Sequence, residues 1–318
     1  MAQKNQLPFH LTGKQKKQLY TAITVIVVIA CIVLEIGQRF PKTGLPSWDD
    51  LNGTAAPSTV AEGMLEVHVI DVGNADSILI RQNDKNMLID AGEKDDGDTI
   101  LHYLSDQGVE KLDLVIATHP HADHIGSMAK IVRNVPIGKF LIAYMPKSST
   151  PTSSSYLNML KALKDKAVPI EEAKPGATYA LGSAQVDILA PLEETSDVNN
   201  MSIVSYLTFG EKHFLFMGDA EKPVEKLILD SGRPVRADVL KTGHHGSSNA
   251  SGEEFVRKVA PSYALITCGA GNSYGHPHRE TIALLKKLKI PAYRSDECGH
   301  IVLTSDGKTI TVKTQKGE

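Results

Sequence analysis

Four side chains able to bind a metal fall within six residues in His119-Pro120-His121-Ala122-Asp123-His124. Imidazole and carboxylate are donors that zinc and manganese both accept. The cluster directly follows the apolar run Leu112–Ala117, which reads as a buried strand, so its side chains can converge on an ion where the strand ends. Incidental histidines on a polar loop are the plain alternative, and the density of three His and one Asp argues against it. Asp219 closes a second apolar run, Phe214-Leu215-Phe216-Met217-Gly218, and can reach the same place; otherwise it is a turn residue before the next helix. Val239-Leu240-Lys241-Thr242-Gly243-His244-His245-Gly246-Ser247 repeats the design of strand, glycine and histidine. Gly271-Asn272-Ser273-Tyr274-Gly275-His276-Pro277-His278 follows a further strand, although a loop alone would account for its two His.

The elements that must position these residues alternate along the chain from Met64 onward. Strand patterns cover Leu65–Ile70, Ser77–Arg81, Asn86–Asp90, Leu112–Ala117, Lys139–Tyr144, Ala177–Leu181, Gln185–Leu189, Ile203–Phe209, His213–Met217, Asp238–Lys241 and Tyr263–Thr267. Ala292–Arg294, His300–Thr304 and Thr309–Lys313 complete them, the last two joined by an Asp306-Gly307 turn. Helical patterns cover Asp98–Gln107, Ile125–Asn134, Tyr156–Lys166, Pro223–Asp230, Glu253–Val259 and Glu280–Leu288. Antiparallel pairs with interspersed helices predict an α+β fold of layered sheets faced by helices.

The N-terminal part differs. Leu19–Leu34 is nearly all apolar and follows Lys14, Lys16 and Lys17. It reads as a single transmembrane anchor over residues 19–38, with a cytoplasmic tail 1–18 and the large domain extracytoplasmic at the cell membrane. No clear small-residue cleavage site follows it. Val28-Ile29-Ala30-Cys31 loosely resembles a lipoprotein signal at Cys31, but Ile32, Val33 and Leu34 continue the apolar run. Residues 39–63, rich in Pro, Gly, Ser, Thr and Asp and holding the sole Trp, Trp48, read as a linker to a domain spanning 64–318.

The 318 residues are ample for a full core, and 42% hydrophobic with 22% charged residues is ordinary for a globular domain. A net charge of −3 gives no global basic character for nucleic-acid binding, though it leaves room for a local positive groove. The three Cys form no CxxC motif; Cys268 and Cys298 sit near two late strand ends where an oxidising compartment would permit a disulfide, two buried thiols being the alternative.

The motif series resembles the metallo-β-lactamase superfamily over about four-fifths of the chain: Asp71, then His-x-His-x-Asp-His, then Gly-Asp, then Gly-His. Its details are similar to the soluble domain of the ComEC-like competence group. These are Asp71-Val72-Gly73-Asn74-Ala75-Asp76-Ser77, Asn199-Asn200-x-Ser202, Gly243-His244-His245-Gly246-Ser247 and Asn272-Ser273-Tyr274-Gly275-His276-Pro277-His278. The resemblance implies an αββα sandwich holding one or two divalent ions, Zn or Mn. His119 and His121 would serve one ion, Asp123, His124 and His244 the other, and Asp219 would bridge. Of the paired histidines, His244 is the expected ligand because it follows the strand-Gly turn. Asp71 and Asp90 would hold ligand loops and imidazoles in place. His245, Asn272, His276 and His278 would bind the scissile group or protonate its leaving oxygen, with Lys241 and Arg279 adding positive charge nearby. The chain departs from the superfamily in one respect: the segment before Asp219 supplies Asn199 and Asn200, and His213 lies inside a strand, where a further His ligand is usual.

The implied function is a metal-dependent hydrolase that activates water, with a phosphodiester as substrate and single-stranded DNA foremost through the competence likeness. Two other readings stand beside it. One is hydrolysis of another ester, such as a phosphocholine ester, or of a lactone or lactam. The other is a non-catalytic accessory protein that retains the metal site. The multi-span channel that accompanies the ComEC soluble domain is absent from this sequence, which argues against a direct transport role.

Overall fold

The computed structural model describes residues 13–39, 60–146 and 149–316. Trp48 and nearly all of the linker lie outside the described residues, as does the start of the N-terminal tail. The chain divides into two compact units, Met1–Pro57 and Ser58–Glu318.

In the first unit a helix runs from Gly13 to Arg39. Its Ile23, Ile26, Ile29 and Ile32 are exposed. Among the described residues no helix is long and apolar enough to cross a membrane.

The second unit is a four-layer αββα sandwich. Strands β1 to β6 are Leu65–Val69, Ile78–Gln82, Lys85–Ile89, Leu112–Ala117, Ile137–Ile142 and Ile170–Glu172. Strands β7 to β13 are Thr178–Leu181, Ala184–Ala190, Val204–Phe209, Lys212–Phe216, Val239–Lys241, Tyr263–Ile266 and Ala292–Arg294. The last two, β14 Ile301–Ser305 and β15 Ile310–Thr314, form a hairpin. One sheet runs β15-β14-β1-β2-β3-β4-β5-β6 and the other β13-β12-β11-β10-β9-β8-β7. The C-terminal hairpin therefore closes the sheet that β1 opens, with Val67 opposite Leu303.

Strand alternation sends one set of apolar side chains between the sheets, where Val67, Ile80, Ile116, Ile188, Leu207, Phe214 and Leu265 pack together. The opposite faces are covered by helices. Gly97–Asp106, Met128–Asn134 and Ser154–Asp165 bury Ile100, Leu104, Ile131, Met159 and Leu163 on the first sheet. Lys222–Asp230, Glu253–Val259 and Arg279–Lys287 bury Val224, Ile228, Phe255, Val256 and Leu285 on the second. Each such side chain contributes about 1.5–3 kcal/mol by leaving water.

The helix expected over 125–134 divides into Ala122–Ile125 and Met128–Asn134. Gly126 lies at the break because a Cβ there would come within 2.4 Å of Glu93 and Lys94 backbone atoms. That close approach stitches the loop after β3 to the loop after β4, with Gly126 N–H donating to Gly92 O at 2.9 Å. The strand Ile170–Glu172 has no counterpart in the sequence reading; it is a three-residue edge strand with two exposed positions, too short and polar to show a period. Cys268 and Cys298 are free thiols rather than a disulfide. The Cys268 Sγ–H instead donates to Asp296 Oδ1 at 3.2 Å.

Candidate metal centre

The residues of the His119–His124 cluster leave β4 at its C-terminal end, and those of Gly218-Asp219 and His244-His245 leave β10 and β11. β10, β11 and β12 are parallel, so their loops open on one edge. Ile203 N–H donates to Thr118 O at 2.9 Å, and Asp219 N–H to Ser202 Oγ at 3.1 Å. These bonds sew the loops of the two sheets into one site at their seam.

Two groups of ligand atoms converge there. Asp123, His124, Asp219 and His245 form one; His119, His121 and Asp219 form the other. Asp219 is buried and presents a different oxygen to each. Oδ1 lies 3.1 Å from His124 Nε2 and 3.6 Å from His245 Nε2, while Oδ2 lies 3.8 Å from His119 Nε2. His245 Nε2 is also 3.3 Å from Asp123 Oδ2.

Hydrogen bonds behind the rings fix which nitrogen faces inward. Asp90, fully buried, accepts from His124 Nδ1–H at 2.7 Å and from the Thr118 N–H and hydroxyl at 2.8 and 2.7 Å. His245 Nδ1–H donates to Thr267 O at 2.9 Å. Each ring therefore turns its Nε2 toward the centre, the arrangement by which an outer partner orients a metal-binding imidazole.

A divalent ion fits this donor set. His124 Nε2, Asp219 Oδ1 and His245 Nε2 are buried and lack a hydrogen-bond partner among the described residues. His124 Nε2 and Asp219 Oδ1 approach to 3.1 Å without forming a hydrogen bond. Unpaired buried polar atoms cost about 1–3 kcal/mol each, and three of them aimed at one point is what a cation would relieve.

The structure corrects several residue assignments. His245, not His244, joins Asp123 and His124. Both take left-handed backbone, with φ of 49° and 51°, and this tight turn swings His245 beneath Thr267 while leaving His244 at the rim. There His244 Nδ1–H donates to Glu221 Oε1 at 3.0 Å, and Nε2 stands 3.7 Å from Asp219 Oδ2.

Asp71 touches no ligand imidazole. Its N–H donates to His300 Nδ1 at 2.8 Å, and its carboxylate lies 3.6 Å from Lys316 Nζ. Asp76 holds the supporting position instead. It is fully buried, sits 3.4 Å from His245 Nδ1 and 3.0 Å from Lys241 Nζ, and accepts from the Thr267 hydroxyl. Lys241 is likewise fully buried, so its charge belongs to Asp76 and not to a substrate; Arg279 is exposed. The signal in the sequence was a charged residue set into or directly after an apolar stretch, Asp76 within Ala75–Ile80 and Lys241 directly after Val239-Leu240.

Asn272 and His278 hold the loop together rather than face a ligand. Asn272 Nδ2 donates to Gly269 O and His276 O at 2.8 and 2.5 Å, and its Oδ1 accepts from Tyr274 and His276 N–H at 3.2 and 3.0 Å, which exhausts the amide. His278 Nδ1 accepts from Ser248 N–H at 2.9 Å, and its Nε2–H donates to Tyr274 O at 3.2 Å. Only His276 of this loop keeps a buried nitrogen, Nδ1, without a partner among the described residues. Burial, with His245 and His244 beside it, pulls the His276 imidazole down to about 4, so it is neutral at pH 7. Asn199 Oδ1, from the segment that lacks the additional His, is also buried without such a partner.

This geometry yields an expected result. His245→Ala should lower bound metal after dialysis by about one ion per chain, as measured by elemental analysis, whereas His244→Ala should retain more. Equal loss from both variants would contradict the placement of the two rings.

Residues 70–269 match the family described as the metallo-beta-lactamase superfamily. The chain is 32% identical over 266 residues to "ComE operon protein 3" of Bacillus subtilis (strain 168), covering 77% of this chain and 33% of that protein. It is 27% identical over 246 residues to "Competence protein ComA" of Neisseria gonorrhoeae, covering 76% and 33%. The chain thus spans about a third of the length of the curated relatives it matches. The metallo-beta-lactamase fold protein YhfI from Bacillus subtilis superposes with a TM-score of 0.52 at 14% identity, covering 76% of this chain and 100% of that one.

Proposed function

The chain belongs to the metallo-beta-lactamase superfamily, and from that membership we propose that it is a metal-dependent phosphodiesterase acting on DNA. The observation that carries this reading is the convergence of His124 Nε2, Asp219 Oδ1 and His245 Nε2, buried and unpartnered among the described residues, beside Asp123. One ion would be held by Asp123, His124, Asp219 and His245. A second would be held by His119, His121 and Asp219, with His244 at its rim. Zn or Mn suits these nitrogen and carboxylate donors. A bound divalent ion supplies Lewis acidity toward a phosphoryl oxygen and a water ionised near neutral pH. The chain's own groups do the rest. Asp90 and Thr267 keep the His124 and His245 rings in the ligating orientation. Asp219, shared by both groups, sets their spacing. The likeness to "Competence protein ComA" favours a nucleic-acid substrate.

The helix Gly13–Arg39, with Lys14, Lys16 and Lys17 ahead of its apolar stretch, would anchor the enzyme by a single pass, with the catalytic unit outside the cytoplasm. External protease applied to intact cells should then digest the catalytic unit, and full protection would overturn this topology.

The test of activity uses the full chain in detergent, loaded with Zn or Mn, on bis-p-nitrophenyl phosphate, single-stranded DNA and nitrocefin in parallel. Turnover of the first two, lost in His121→Ala, is the expected result. Turnover of nitrocefin alone would shift the reading to a lactam. Tight metal binding with no turnover would shift it to an accessory role.

A further inference from the structure

Tyr274 is 69% exposed at the mouth of the metal centre. Isolated apolar side chains on a surface need no explanation, but this one is built into an array. Its ring stacks on His276 with centroids 5.7 Å apart and planes at 19°. His276 in turn stacks on His245 at 6.0 Å and 27°. Three roughly parallel rings thus step outward from a proposed metal ligand to solvent. Among the described residues, no other ring packs against Tyr274.

The loop is held rigid to keep that ring there. The four hydrogen bonds of the Asn272 amide clamp Gly269, Tyr274 and His276, and His278 ties the Tyr274 carbonyl to Ser248. An aromatic side chain that is already ordered binds a flat partner at little further entropic cost.

We propose that Tyr274 is a stacking platform for an unpaired nucleobase, positioning the strand so that a neighbouring phosphodiester reaches the metal centre. The inference rests on the phosphodiesterase reading and deepens it, because it names the part of the substrate that is recognised. The chemistry fits: every base has a π face, so one tyrosine binds the strand without reading its sequence. It also reconciles an acidic chain with nucleic acid, since stacking needs no positive charge. A paired duplex hides its base faces, so the platform selects single strands.

The test measures KM for two single-stranded dodecamers with the same phosphodiester backbone, one of thymidines and one fully abasic, using the metal-loaded full chain. Stacking on one platform predicts a KM about 5- to 150-fold lower for the thymidine strand. Tyr274→Ala should bring that ratio close to one, and Tyr274→Phe should keep it. Because the ratio compares two substrates on one variant, a general loss of folded enzyme cannot mimic the effect. A wild-type ratio near one, or a ratio that survives in Tyr274→Ala, overturns the platform while leaving the diesterase reading intact. Cleavage of neither strand overturns the diesterase reading and the platform with it.

Discussion

Adding Mn²⁺ or Zn²⁺ to the metal-free full chain should raise the thermal midpoint of the catalytic unit by about 5–10 °C at a hundredfold excess over Kd. An ion that binds only the folded state adds about 2.7 kcal/mol at that excess, and a unit of this size gains about 2–4 °C per kcal/mol. The site cannot exist in the unfolded chain, because Asp123 and His124 follow β4 while Asp219 and His245 follow β10 and β11, in the other sheet. Burial works against the charge on Asp219, and the surrounding imidazoles, His124 first, hold its carboxyl well below the usual carboxylate range. Asp219→Asn should abolish the thermal shift and lower hydrolysis by at least about 100-fold, since an amide brings no charge and cannot offer an oxygen to both groups. Scanning calorimetry with and without the ion checks this. A shift that persisted in Asp219→Asn would mean that the ion binds elsewhere.

The second large effect lies behind the site. Lys241→Met should destabilise the catalytic unit by about 3–5 kcal/mol, because it strands the Asp76 carboxylate in the interior. The pair has no access to solvent, and Lys241 Nζ lies 3.0 Å from Asp76 Oδ2 while also donating to Thr242 O at 2.9 Å. Burial alone would push the Asp76 carboxyl up, yet Lys241 and then His245 hold it well below its ordinary range. Asp76→Asn combined with Lys241→Met should cost less than the two changes taken separately, since no lone charge is then buried. Urea denaturation of the four proteins measures the coupling. A loss below about 1 kcal/mol in Lys241→Met would show that water reaches Asp76 and replaces the ammonium.

Most of the individual strands and helices could be read from periodicity, whereas the αββα layer order followed from the family resemblance. Leu112–Ala117 and Glu253–Val259 match the sequence reading residue for residue, the first because it is a mainly apolar run and the second because Phe255, Val256 and Val259 recur at helical spacing after two acidic residues. The His-x-His-x-Asp-His cluster pointed to a metal centre because its chemistry is local. What could not be read was orientation. Adjacent His244 and His245 are chemically identical in the sequence, and only a left-handed turn decides which one enters the pocket. Asn272 and His278 resembled substrate contacts because their residue types suit phosphate, yet their polar atoms are consumed by backbone groups of the same loop. Asp76 and Lys241 were legible as motif letters and not as a pair, since 3.0 Å in space corresponds to a separation that no sequence pattern encodes.

The pairing of β14 with β1 also bears on how the chain reaches its final form. Asp71 N–H and His300 Nδ1 are bonded across 229 positions, so the flank of β1 stays open until the C-terminal hairpin is available. At a synthesis rate of about 5–20 residues per second, that interval is roughly 10–50 s. During it β1 is an unpaired edge, a template for wrong strand addition.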